Sequence, residues 1–211
     1  MIDKLLKEIG EDKHQNMTTT SFKFKRDVWE FFQGFQDKIA VEFGTHKGQT
    51  TKILSHLFKK VYTVNNQDNV EAKKLNENIQ NIEYISNFNL YSSQNLPIYD
   101  IIDVFLIDAG HHYKDVIWDM HRTLSLNRSK ECYIIFDDFG IPNKPTAPAQ
   151  IKKAVNEAIK GKMFTLVKGI GHPKGYNLGD PSQTILEDWE GVIVKTNQHQ
   201  YVSKIKGIND K

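Results

Sequence analysis

The stretch Ile39-Ala40-Val41-Glu42-Phe43-Gly44-Thr45-His46-Lys47-Gly48-Gln49-Thr50-Thr51 constrains this chain more than any other. A short apolar run leads into two nearby glycines and then into a helical pattern over Thr50–Phe58. A strand, a tight glycine turn and a helix in that order form the first unit of a nucleotide-binding α/β domain. Gly44 admits a turn that a Cβ would hinder, and Gly48 lets backbone approach a ligand or a neighbouring element. The helix that follows presents free N–H groups above the turn. Glu42 sets the sign of the ligand: a carboxylate beside this loop repels pyrophosphate and suits a cation. The order Gly44-x-x-x-Gly48 also lacks the Gly-x-Gly-x-x-Gly pattern of dinucleotide dehydrogenases.

The rest of the chain repeats this alternation. Apolar runs predict strands at Lys38–Phe43, Lys60–Asn65, Ile82–Ser86, Val104–Asp108 and Tyr133–Asp137. Helical spacing predicts helices at Thr50–Phe58, Asn69–Asn78, Lys114–Leu124 and Ala149–Lys160. Strands separated by helices pair in parallel through right-handed crossovers. Phe164–Gly169 and Gly191–Thr196 are strand-like with no helix between them, which predicts an antiparallel final pair. Ahead of the alternation, residues 1–16 are amphipathic, and Arg26–Phe35 reads as a helix with Trp29, Phe32 and Phe35 facing inward. A single domain over 1–211 follows, with a helical segment 1–35, an α/β core 36–196 and a polar tail 197–211. Two segments are candidate pocket borders: 141–148, with Pro142, Pro145 and Pro148, and 169–188, with Gly169, Gly171, Gly175 and Gly179.

Composition narrows the class. Charged residues are 26% and hydrophobic residues 39%, the balance of an ordinary globular domain. A formal net charge of +2 gives no reason to expect nucleic acid or membrane as partner. Cys132 is the only cysteine, so no intrachain disulfide forms, and a reducing cytoplasmic location is expected. The amphipathic N-terminal helix is a candidate homo-oligomer surface.

A second constellation lies at the ends of two predicted strands. Val104–Ile107 delivers Asp108, and Tyr133–Phe136 delivers Asp137 and Asp138. In open α/β sheets ligands bind beyond the carboxyl ends of the strands. If the two strands are neighbours, three carboxylates share a small volume. Such a group calls for a positive partner, and a hard divalent cation suits oxygen ligands.

Together these motifs resemble the class I S-adenosylmethionine-dependent methyltransferases. The spacing Glu42-x-Gly44-Thr45-x-x-Gly48-x-Thr50-Thr51 is similar to motif I of the small O-methyltransferases. Asp108, Asp137 and Asp138 resemble the acids that hold the metal in the divalent-metal-dependent members. Ile107-Asp108-Ala109-Gly110-His111-His112-Tyr113 resembles the macrocin-type enzymes, in which the histidine three places after the acid is the base. The likeness implies a Rossmann-like, seven-stranded, mostly parallel sheet with an antiparallel C-terminal hairpin. It implies S-adenosylmethionine as cofactor, held by Glu42, Gly44, Thr45, Gly48, Thr50, Asn65, Phe88 and Asp108. It implies Mg2+ or another divalent metal on Asp108, Asp137 and Asp138, His111 as catalytic base, and a small hydroxylated molecule as acceptor.

One departure stands out. The second strand of such enzymes ordinarily ends in an acid that grips both ribose hydroxyls, whereas here it ends in Asn65-Asn66, with Asp68 as a possible substitute. Two other readings stay open: a metal-independent methyltransferase of another acceptor, and a cofactor- or partner-binding module without turnover.

Overall fold

The computed structural model describes residues 1–13, 19–143, 149–179 and 185–197. Part of the proline segment, part of the glycine segment and the tail beyond Asn197 lie outside the described residues. Seven strands form one sheet: β1 (Ile39–Phe43), β2 (Lys60–Val64), β3 (Ile82–Ile85), β4 (Ile102–Ile107), β5 (Arg128–Phe136), β6 (Phe164–Ile170) and β7 (Gly191–Thr196). Their order is β3-β2-β1-β4-β5-β7-β6. The first five pair in parallel; β7 lies antiparallel to both β5 and β6. The predicted alternation and the antiparallel ending are both present.

Six helices accompany the sheet among the described residues: α1 (Ile2–Ile9), α2 (Phe22–Phe31), α3 (Gln49–Leu57), α4 (Val70–Leu75), α5 (Tyr113–Ser125) and α6 (Ile151–Lys160). The central strands bury both faces, so their residues divide by alternation. Ala40, Val61, Val104, Leu106, Ile135 and Ile193 pack with Leu5, Leu6, Phe24 and Ile53 of α1, α2 and α3. Val41, Phe43, Phe105, Ile134, Phe136 and Val194 pack on the other side with Val116, Met120 and Val155 of α5 and α6. The apolar stripe of α1 is thus buried in the domain's own core.

Helix boundaries shift where side chains compete for backbone groups. α2 begins at Phe22, earlier than the periodicity predicts, because the Ser21 hydroxyl accepts from the Phe24 N–H at 3.0 Å and caps the helix. Phe32 and Phe35 therefore follow the helix, in an aromatic cluster with Phe31, Phe58 and Tyr133. α4 is shorter than predicted because the Asn76 amide donates to the Ala72 and Gly48 carbonyls and closes the helix.

The two glycines of the β1–α3 turn serve packing. A Cβ on Gly44, at φ +96°, would lie 2.0 Å from the Asp108 carbonyl oxygen. A Cβ on Gly48 would lie 2.6 Å from the Ala72 Cβ. The first contact keeps the ends of β1 and β4 close enough to build one site. Gly34 has a similar φ of +94° and open space around it. Gly44→Ala should therefore cost about 3 kcal/mol or more, from backbone strain plus overpacking, and Gly34→Ala only about 1–2 kcal/mol from strain. Urea unfolding of the two variants checks this; equal costs would show that the close approach at Gly44 is unimportant.

Candidate active site

A cavity of about 700 Å³ opens at the carboxyl ends of the parallel strands. Gly44, His46 and Lys47 line it from the β1 turn, Asn65 to Asp68 from the end of β2, and Asn89 to Tyr91 from the segment after β3. Asp108 and His111 close it from the end of β4. A narrow extension beside Thr45 and Thr50, reaching Thr19 and Thr20, also touches Asp108.

Glu42 does not line this cavity. Alternation along β1 puts it on the same face as Ala40, beneath α3, where it is 1% exposed. Its carboxylate accepts from Thr51 Oγ1 and, at 2.6 Å, from Thr63 Oγ1. Thr63 also meets Thr45 at 2.7 Å. Glu42 thus ties β2, α3 and the glycine turn together, and burial pushes its pKa up to about 7.

The end of the cavity beyond β2 is an amide network. The Asn65 amide donates to Asn69 Oδ1 at 2.9 Å, and Asn69 donates to Ser86 Oγ at 3.2 Å. Asp68 lines the cavity but is held by Lys73 at 2.9 Å and by the Asn69 N–H at 2.8 Å. Phe88 is 9% exposed, packed in the core with the Arg122 guanidinium over its ring. Leu90 and Tyr91 line the cavity in its place. Arg122 of α5 fixes this wall by donating to the carbonyls of Leu90, Ser92 and Gln94. Sequence reasoning could not foresee that wall, because the donor and the loop lie about thirty residues apart.

The acids do converge, because β4 and β5 are neighbours. Asp108, His111 and Asp138 each offer an oxygen or nitrogen, all within 4.8 Å of one another. His111 Nε2 lies 3.1 Å from Asp138 Oδ2. His112 points elsewhere, into a separate depression with Lys114, Asp115 and Gln150. Asp138 adopts a left-handed φ of 56°, a strained conformation of the kind found at functional positions. Asp137 turns away from that trio: its Oδ2 lies 3.6 Å from Lys13 Nζ. Its Oδ1 is buried without a hydrogen-bond partner among the described residues.

Two buried lysines oppose these acids. Lys13 Nζ lies 2.8 Å from Asp138 Oδ1 and 3.5 Å from Glu190 Oε1. Lys25 donates to Thr19 Oγ1 and to the Thr20 carbonyl, and burial lowers its pKa to about 8. Burial pushes Asp108 and Asp137 well above the carboxylate range, reinforced in both by neighbouring acids. Burial acts the same way on Asp138, but Lys13 and His111 outweigh it and hold that carboxyl low. Glu190 takes hydrogen bonds from the Ser21 N–H and hydroxyl and from the His172 N–H. Neither lysine nor Glu190 stands in a pattern that marks it in the sequence.

Residues 41–139, just under half of the chain, match a sequence family described as a methyltransferase domain. Among solved structures, the O-methyltransferase TomG from Streptomyces achromogenes, in complex with SAM, matches with a TM-score of 0.65 at 13% identity, covering 92% of this chain and 88% of that one. The fold is that of the S-adenosylmethionine-dependent methyltransferases. The N-methyltransferase NodS from Bradyrhizobium japonicum, in complex with S-adenosyl-L-homocysteine, has a TM-score of 0.57 at 12% identity over 93% of this chain and 98% of its own. The tRNA (m1A58) methyltransferase TrmI from Aquifex aeolicus has a TM-score of 0.57 at 16% identity over 92% and 76%. No curated protein sequence matches the chain significantly. The family match and the shared fold support an S-adenosylmethionine-dependent methyltransferase, and the relatives' acceptors differ too widely to name this one's. Among the described residues no helix is long and apolar enough to cross a membrane.

Within this fold Glu42 sets a pH dependence. Its pKa is raised from 4.5 to about 7 on folding. The protonated form is therefore favoured in the native state, and the associated stability is full below about pH 4.5 and lost as pH rises through about 7. Glu42→Gln keeps an acceptor and removes the titration. Relative to wild type it should gain about 3 kcal/mol between pH 5 and pH 8, measured by denaturant unfolding at both. A constant difference across that range would contradict the burial argument.

Proposed function

We propose that the protein transfers a methyl group from S-adenosylmethionine to a hydroxyl oxygen of a small molecule bound over the acid rim. A divalent cation, magnesium first, would be held there. The observation that carries this reading is Asp108, which lines the cofactor cavity and also belongs to the Asp108–His111–Asp138 trio. Methyl donor and acceptor oxygen would then meet across one side chain. The donor set, the Asp108 and Asp138 carboxylates with an orphaned carboxylate oxygen on neighbouring Asp137, fits a hard divalent ion and leaves His111 free to act as base.

S-adenosylmethionine, when bound, supplies a methyl group activated by its sulfonium. A divalent cation, when bound, lowers the pKa of a nearby acceptor hydroxyl. The chain's own residues do the rest. The amide network at Asn65 holds the ribose end, and Leu90 and Tyr91 wall the base end. His111, partly exposed between the cavity and Asp138, takes the hydroxyl proton, and the Asp138 carboxylate steadies the imidazolium that forms. Positioning supplies much of the rate. The partner is accordingly a small hydroxylated acceptor, with neither nucleic acid nor membrane required. A second reading, activity without an added cation, is favoured by Lys13, whose ammonium already pairs with the acids.

Calorimetric titration with S-adenosylmethionine tests the cofactor site. Asn65→Leu should weaken binding about tenfold through loss of one buried acceptor, and Asn65→Asp should tighten it by adding a second. If both bind like wild type, the ribose does not sit there. For the acceptor site, His111→Ala should lower turnover about 10²- to 10⁴-fold with little change in cofactor affinity, and His112→Ala should do much less. The reverse ranking would overturn the assignment. A loss of Mn2+ affinity in His111→Ala would mark it as ligand rather than base. Full activity in excess chelator would select the cation-free reading.

A further inference from the structure

Lys13 is a charged group of the acid rim that the proposed cation-dependent chemistry does not use. Lys13 is 2% exposed and stands among three carboxylates, at 2.8 Å from Asp138, 3.5 Å from Glu190 and 3.6 Å from Asp137. A desolvated ammonium survives only when so paired. We propose that Lys13 is the resident cation of the rim, and that its ammonium and a divalent cation are alternative occupants of Asp137 and Asp138. The inference rests on the cation site proposed above.

Two observations carry it. First, Asp138 is divided. Its Oδ1 meets Lys13, while its Oδ2 faces His111 on the side shared with Asp108, where the ion would sit. A second positive centre on that carboxylate would lie close to the ammonium in a buried setting, where like charges repel strongly. Second, Asp137 is only half satisfied: Oδ2 faces Lys13, and Oδ1, buried, has no hydrogen-bond partner among the described residues. Buried carboxylate oxygens are normally paired, so this atom is an unmet acceptor that the ammonium does not serve. Glu190 keeps its three other donors when Lys13 leaves, so the exchange frees Asp137 and Asp138 without stranding Glu190.

The test is calorimetric titration of the full chain with MnCl2 and, separately, with S-adenosylhomocysteine. Lys13→Gln keeps a hydrogen-bond donor and removes the charge; Lys13→Met removes both. Both variants should bind Mn2+ at least tenfold more tightly than wild type, or bind it where wild type does not, with S-adenosylhomocysteine affinity within threefold. Folded variants that bind Mn2+ equally or more weakly would overturn the exchange. Absence of Mn2+ binding in all three proteins would overturn both the exchange and the cation site, while intact S-adenosylhomocysteine binding would leave the methyltransferase reading standing. If neither variant folds, lysine acylation of the wild type read by mass spectrometry decides. Mn2+ should raise labelling of Lys13 several-fold against exposed Lys4 as internal reference. Unchanged or reduced labelling of Lys13 would overturn the proposal.

Discussion

The balance of buried charge at the carboxyl end of β4 and β5 governs the rest of the site. Four acids gather where two adjacent parallel strands end and β7 begins, and two lysines from the N-terminal segment meet them. Neither set is stable in the interior without the other, because an unpaired buried charge is far costlier than a paired one. Their mutual need ties Lys13 and Lys25 to the sheet rim. It also makes the N-terminal segment part of the site.

That coupling reaches the main cavity. Glu11 pairs with Lys47 at 3.2 Å, and Lys47 lines the main cavity. Gln49, at the start of α3, bonds both Glu11 and Thr19. The segment that brings Lys13 to the acids therefore also braces the glycine turn. The hairpin between β6 and β7 closes the rim from the opposite side: the Phe139 N–H donates to the Glu190 carbonyl, and Gly140 packs so tightly on Asp188 that a Cβ there would lie 2.4 Å from its carbonyl oxygen.

The glycine turn shows how a motif can be read correctly for position and differently for cause. Gly44 does line the cavity, whereas Gly48 does not. Their lack of a Cβ, however, serves the approach of β1 to β4 and of α3 to α4. Glu42 likewise belongs to the motif but braces Thr51 and Thr63 from below the sheet. A residue next to a ligand loop in sequence alternates to the far face when it sits one place off in a strand.

The sequence by itself determined the α/β alternation, the antiparallel ending, the glycine turn and the two strand-end acid clusters. Each is a local signal: continuous apolar runs, helical spacing, or a short spaced motif. The resemblance to the macrocin-type enzymes singled out His111. Only the tertiary structure decided that Asp137 turns from the trio, that Tyr91 rather than Phe88 walls the cavity, and that Lys13, Lys25 and Glu190 complete the rim. These depend on groups 125 residues apart in the case of Lys13 and Asp138, and on 169 in that of Ser21 and Glu190. A lysine among polar residues carries no mark of burial. Its partner is set by which strands become neighbours, and that is settled by packing across the whole sheet.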